Sequence, residues 1–136
     1  MKRTKLRRKS KSDIRKIQDE LWQLCRKITF NDYSNECYTC GKKNLIGRDL
    51  QCGHFIPSSI AGAYLRYDLR NLRPQCAKCN ISEGGNGAEF YRKMLIREGA
   101  TFVDELMKDR NKSVKAMEHY QMLLEKYKKL WQKKKD

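Results

Sequence analysis

Cys37-Tyr38-Thr39-Cys40-Gly41, Gln51-Cys52-Gly53-His54-Phe55, Arg70-Asn71-Leu72 and Cys76-Ala77-Lys78-Cys79-Asn80 follow one another along the chain, and their order decides its reading. A two-residue spacing lets both thiolates of a pair turn inward toward one ion. Two such pairs, Cys37 with Cys40 and Cys76 with Cys79, complete a closed tetrahedral shell, the pattern of a structural Zn2+ site. Gly41 follows the first pair, as expected where a tight turn exposes backbone N–H groups to sulfur. A redox pair would come once, beside a strand–helix pattern. Two disulfides are disfavoured in a reducing compartment. Zinc binding contributes roughly 10–16 kcal/mol in small zinc modules, enough to hold an otherwise marginal fold. Cys25 and Cys52 have no partner at ligand spacing and read as small buried hydrophobes.

The rest of the 136-residue chain supports a module that needs such a staple. It is 39% hydrophobic and 35% charged, too polar for one large oily core. That length suits one domain with a helical appendage. No apolar run is long enough to cross a bilayer. The basic start is not followed by an apolar stretch, so it is no secretory signal, and a cytoplasmic setting is expected. Net charge is +15, from 31 Lys and Arg against 16 Asp and Glu. The excess concentrates at the ends, with Lys133-Lys134-Lys135 closing the chain. Nucleic acid is the commonest partner for such a surface. A basic amphipathic membrane helix would leave the cysteines unexplained, and charge alone indicates phosphate without indicating chemistry.

Residues 1–11 read as a disordered basic arm. A helix is expected over 12–30, with Ser12 as N-cap and an apolar stripe of Ile14, Ile17, Leu21, Leu24 and Ile28. From 31 to 99 the helical period is lost and then regained, forming the zinc-stapled core. Leu45–Leu50 followed by Cys52–Ile56 predicts a short hairpin, and Pro57-Ser58-Ser59 opens a loop. Ala88, Tyr91 and Leu95 share a helical face that stops at Gly99. Over 100–136 two more helices are expected. The first is capped by a Thr101–Asp104 box and carries Phe102, Val103, Leu106 and Met107. The last carries Met117, Tyr120, Leu124, Tyr127 and Trp131. The stripes of the first and last helices are either the seam of a homodimer or packed within one chain. The second is favoured, since small modules must bury such stripes somewhere.

Of two histidines, His119 sits in the last helix with no ligand pattern around it. His54 lies between the cysteine pairs at the end of a predicted strand, with Asn71 and Asn80 in register behind it. This ordered set resembles the HNH, or ββα-metal, nucleases built on a zinc knuckle pair. The run Gln51–Phe55, Leu65-Arg66-Tyr67-Asp68, Asn71, Gln75-Cys76, Cys79-Asn80, Gly85-Asn86, Glu89, Tyr91-Arg92, Leu95-Ile96 and Gly99 is similar to the phage recombination family NinG, also called Rap. That resemblance covers most of residues 37–107.

The resemblance implies an α+β, mostly helical fold: a treble-clef-like ββα-metal zinc module flanked by N- and C-terminal helices. It implies a structure-selective endodeoxyribonuclease acting on branched DNA, a fork, flap or four-way junction. His54 would be the general base, Asn71 would hold the histidine and its loop, and Asn80 would ligate a catalytic Mg2+ or Mn2+. The chemistry suits these roles: a neutral imidazole accepts a proton near neutral pH, and a hard cation prefers oxygen ligands. Many HNH sites carry Asp or His directly before the catalytic histidine; here Gly53 stands there. Asp49 in the hairpin and Glu83 three residues after Asn80 are candidates for the second metal ligand, with an ordinary solvated carboxylate as the alternative for each. A glutamate after the asparagine of phage resolvase endonuclease VII tilts this to Glu83, and Asn86 and Glu89 are further candidates by resemblance. Lys2, Arg3, Arg7, Arg8, Lys9, Arg66, Arg70, Arg73 and Lys78 are expected to grip phosphates. The alternative is a non-catalytic, zinc-dependent nucleic-acid-binding protein, which charge and cysteines fit equally well.

Overall fold

The computed structural model describes the backbone from Lys2 and the side chains from Asp13 onward. The first helix, α1, spans Lys2–Tyr33, where the sequence suggests an arm over 1–11 and a helix over 12–30. No proline or glycine interrupts this stretch, and Lys, Arg and Leu are good helix formers. Ser34 and Asn35 end it in the left-handed region, at φ 55° and 54°. The phosphate-gripping role expected of Lys2, Arg3, Arg7, Arg8 and Lys9 rests on side chains outside the described residues.

The sheet has two strands, β1 (Gln51–His54) and β2 (Leu72–Gln75), paired antiparallel with Gln51 opposite Gln75 and His54 opposite Leu72. This replaces the expected hairpin. Residues 47–49 form a single tight turn instead of a strand, and the partner of β1 comes from beyond an inserted helix, α2 (Ser58–Arg66). Pro74 sits inside β2, which a two-stranded sheet tolerates because every strand is an edge. Helix α2 stands where a loop is expected after Pro57. Its signal is broken at Gly62, whose φ of 63° and ψ of −175° kink it, a conformation glycine adopts at little cost.

Helices α3 (Gly87–Arg97), α4 (Ala100–Asp109) and α5 (Ala116–Lys135) complete the chain. The buried face of α3 is Phe90 and Met94, one step from the expected Ala88–Tyr91–Leu95 face; Tyr91 remains 43% exposed. Helix α4 has no side-chain cap, so the Thr101–Asp104 box does not form. Gly99 precedes it and Thr101 lies inside the helix.

Helices α1 and α5 pack on each other within one chain. Leu21, Cys25 and Ile28 meet Tyr120, Leu123 and Tyr127, and the cluster extends to Cys52, Tyr67 and Leu72. Fully burying each of Leu21, Ile28 and Leu123 contributes about 1.5–3 kcal/mol. A second cluster joins Tyr38, Ile56, Ala61 and Leu65 to Phe90, Met94, Val103 and Leu106. Between them, the guanidinium of Arg73 is buried against the rings of Tyr33 and Tyr38, 4.8 and 5.3 Å away. It donates to the carbonyls of Leu69, Arg70 and Leu72. Among the described residues no helix is long and apolar enough to cross a membrane.

Candidate metal centre and the cavities around His54

The sulfur atoms of Cys37, Cys40, Cys76 and Cys79 all lie within 4.8 Å of one another. Each pair is a turn in which the second cysteine's N–H points at the first cysteine's Sγ, at 3.5 Å in both. Leu45 and the half-buried Leu50 close the cluster. Burial opposes ionisation of Cys37, but the Cys40 N–H and the Thr39 hydroxyl outweigh it and bring the thiol down to about 6. Cys40 is driven the other way, to about 12, by burial and by the thiols of Cys37 and Cys76. Four sulfurs this close cannot all ionise without a cation among them, and a soft thiolate set suits zinc. The cluster could hold a metal ion such as zinc. Cys25 and Cys52 are buried and free, as expected, and burial pushes the Cys52 thiol up to about 12.

Asp49, expected as a catalytic-metal ligand, belongs to this cluster's frame instead. One of its oxygens accepts the Ala77 N–H at 2.9 Å and the other pairs with Lys42 at 2.6 Å. Its carboxyl is held below the usual range by Lys42 first and by the Ala77 amide second. Asn86 also serves the cluster, its amide lying 3.7 Å from the Cys79 sulfur. Glu89 is engaged on the surface by Arg92.

His54 ends β1, half-buried. Its Nε2 lies 2.9 Å from the carbonyl of Arg66. A carbonyl only accepts, so Nε2 carries the proton and Nδ1 keeps its lone pair. Burial lowers the imidazole below its ordinary value, with the Arg66 carbonyl opposing. Asn71 is fully buried and clamps the segment that follows: its Oδ1 accepts the Ile56 N–H at 2.7 Å and its Nδ2 donates to the Ile56 carbonyl at 3.0 Å. The backbone agrees, Phe55 N–H donating to the Asn71 carbonyl.

Asn80 sits in one wide turn, Lys78–Ser82, that closes with the Glu83 N–H on the Lys78 carbonyl. No helix continues from it, so Glu83 does not share a helical face with Asn80. Exposed Glu83 lines neither cavity described next. Asn80 Nδ2 donates to Gln51 Oε1 at 2.7 Å. Its Oδ1 has no partner among the described residues.

His54 and Asn80 do not open into one cavity. His54 lines a cavity of about 260 Å³ with Gln18, Asp19, Trp22, Ser58, Arg66 and Tyr67. Asn80 lines a neighbouring one of about 340 Å³ with Trp22, Arg26, Arg48 and Gln51 among others. Trp22 of α1 belongs to both, and its ring stacks parallel to that of His54, 5.5 Å between centroids. Nothing in the sequence signals this: Trp22 stands beside the apolar stripe like any core aromatic.

The basic residues divide. Arg73 is 1% exposed and cannot reach a phosphate, and the charge of Arg70 is committed to Asp68 and Asp109 at 2.8 and 2.9 Å. Arg66 and Lys78 are exposed and, with Arg26 and Arg48, have no carboxylate partner among the described residues. Arg26 and Arg48 rim the Asn80 cavity and Arg66 the His54 cavity, and the sequence pattern alone does not single out the first two.

The family described as Bacteriophage Lambda NinG protein matches residues 1–136. Protein ninG of Escherichia phage 933W is 29% identical over 100 residues, 74% of this chain and 48% of that protein. Protein ninG of Salmonella phage P22 is 37% identical over 83 residues, 60% of this chain and 39% of its own length. Protein ninG of Escherichia phage lambda is 29% identical over 85 residues, 62% and 40% respectively. Each match spans less than half of the relative's length. No solved structure matches.

Proposed function

From the premise that the chain belongs to the NinG family, we propose that it is a metal-dependent DNA endonuclease of HNH type, selective for branched DNA, with a structural zinc on its four cysteines. The observation that carries the reading is His54: one nitrogen is fixed by the Arg66 carbonyl, the other has no partner among the described residues, and the strand end is pinned by Asn71. A neutral imidazole so held accepts the proton of an attacking water.

Asn80 Oδ1, an oxygen without a partner among the described residues and beside a cavity rimmed by Arg26 and Arg48, suits one position of a hard cation that keeps several waters and takes phosphate oxygens. When bound, Mg2+ or Mn2+ would neutralise charge growing on the phosphate. Arg26, Arg48 and Arg66 take flanking phosphates, Gln51 orients the Asn80 amide, and Asn71 keeps His54 in place. Site of action would be the cytoplasm of the host cell.

A non-catalytic zinc-dependent nucleic-acid binder is the second reading, favoured by one observation: His54 and Asn80 line separate cavities with Trp22 common to both. The deciding experiment incubates the zinc-loaded chain with four-way, forked and linear DNA, with Mg2+, Mn2+ or EDTA. Divalent-dependent nicking of the branched substrates is expected. Retention of DNA without nicking under any of these conditions makes it the binder.

A further inference from the structure

The imidazole of His54 is held by two contacts at right angles in their effect. In its plane, Nε2 donates to the Arg66 carbonyl at 2.9 Å. Above its plane lies the indole of Trp22, 5.5 Å between centroids and 2° between planes. Tyr67 meets that indole edge-on, 6.4 Å away at 62°, and steadies it. The imidazole moves only by rotation about its two side-chain torsions. The hydrogen bond fixes the position of Nε2, and the parallel indole limits the tilt of the ring from one side.

We infer that Trp22 is a positioning residue for His54: α1, from outside the strand-and-knuckle unit, supplies the flat face that fixes the imidazole so that only Nδ1 is offered to solvent or substrate. The consequence for cleavage rests on the endonuclease reading; the clamp itself does not. Burial lowers the basicity of the His54 ring, and Trp22 is among the residues that line its cavity. The charged and titratable groups that share the His54 cavity are Asp19, Arg66 and Tyr67.

Because the chain has two histidines, the metal-loaded full chain carrying His119→Gln and ¹⁵N-labelled histidine reports His54 alone. Across a pH titration the expected wild-type signals are a neutral ring protonated at Nε2, ring protons shifted upfield by the indole, and titration below the ordinary histidine value. Trp22→Phe should retain all three. Trp22→Leu, which keeps apolar bulk but no flat face, should give mixed tautomers, lose the upfield shift and titrate higher. In that variant kcat on branched DNA should fall about three- to tenfold with KM unchanged. A folded Trp22→Leu chain with the wild-type tautomer and titration overturns the clamp. So do wild-type ring protons without an upfield shift, a result that needs no variant to fold. A wild-type chain that never cleaves DNA but shows the predicted histidine signals refutes the nuclease reading and leaves the clamp standing.

Discussion

Gln75 occupies the space where a side chain on Gly53 would begin: a Cβ there would collide with Gln75 Oε1 and stand 2.7 Å from its Cδ. The two residues are neighbours across the sheet, Gln51 and Arg73 being their directly opposed partners. Gln75 is fully buried and tied by its amide nitrogen to Thr39 and the Gly85 carbonyl, so it cannot swing away cheaply. This accounts for the glycine directly before His54. Gly53→Ala and Gly53→Asp should both destabilise the fold, by about 1–3 kcal/mol as overpacking does. Urea unfolding measures it; Gly53→Asp with wild-type stability would show that Gln75 yields.

Loss of the metal should cost the module its fold. Cys76→Ala, or zinc removal by a chelator, is expected to abolish the cooperative thermal transition, since zinc contributes roughly 10–16 kcal/mol in comparable modules. Cys25→Ala should keep the metal content and lose only packing. Metal analysis and circular dichroism on the two variants separate the roles.

His54 carries its own pH signature. Burial lowers its proton affinity in the folded chain, so the unfolded chain, near 6.5, takes up the proton first as pH falls. Stability from this group is therefore complete above about 6.5 and is lost as pH drops through the lowered folded value. Measured as wild type against His54→Gln, which share the cysteines, the difference in urea midpoint should shrink below pH 6.5. Cleavage should fall over the same acidic range, as the base is protonated.

Much of this was readable from residue order. Four cysteines at paired spacing converge because the spacing itself dictates a knuckle, and Asn71 bonds to the backbone after His54, the segment that only the family resemblance pointed to. The apolar stripes of α1 and α5 were legible and their burial within one chain was favoured, but that they meet each other is seen only in the fold. Strand pairing was not readable: β1 and β2 are four residues each, Pro74 masks the second, and Gly62 breaks the period of α2. Contacts made across the fold were equally silent. Trp22 on His54, Gln75 under Gly53 and Arg73 among aromatic rings bring together residues distant in sequence, and each looks ordinary in its own segment.

The arginines make a graded prediction. Arg26→Ala, Arg48→Ala and Arg66→Ala should each weaken DNA binding and reduce the salt slope by about one phosphate contact. Arg70→Ala should leave the slope unchanged, because its charge is committed to Asp68 and Asp109. Arg73→Ala should instead destabilise the fold, leaving Glu98 without the cation that lies 3.6 Å from it. Filter binding at several salt concentrations, beside thermal melts, distinguishes the three classes.

The most direct test is the single-turnover rate of four-way-junction cleavage by the zinc-loaded chain in Mg2+, wild type beside His54→Ala. General-base catalysis predicts a loss of about 10²–10⁴-fold with junction affinity intact. Equal rates in the two proteins would mean that His54 moves no proton in the reaction, and the account would fail.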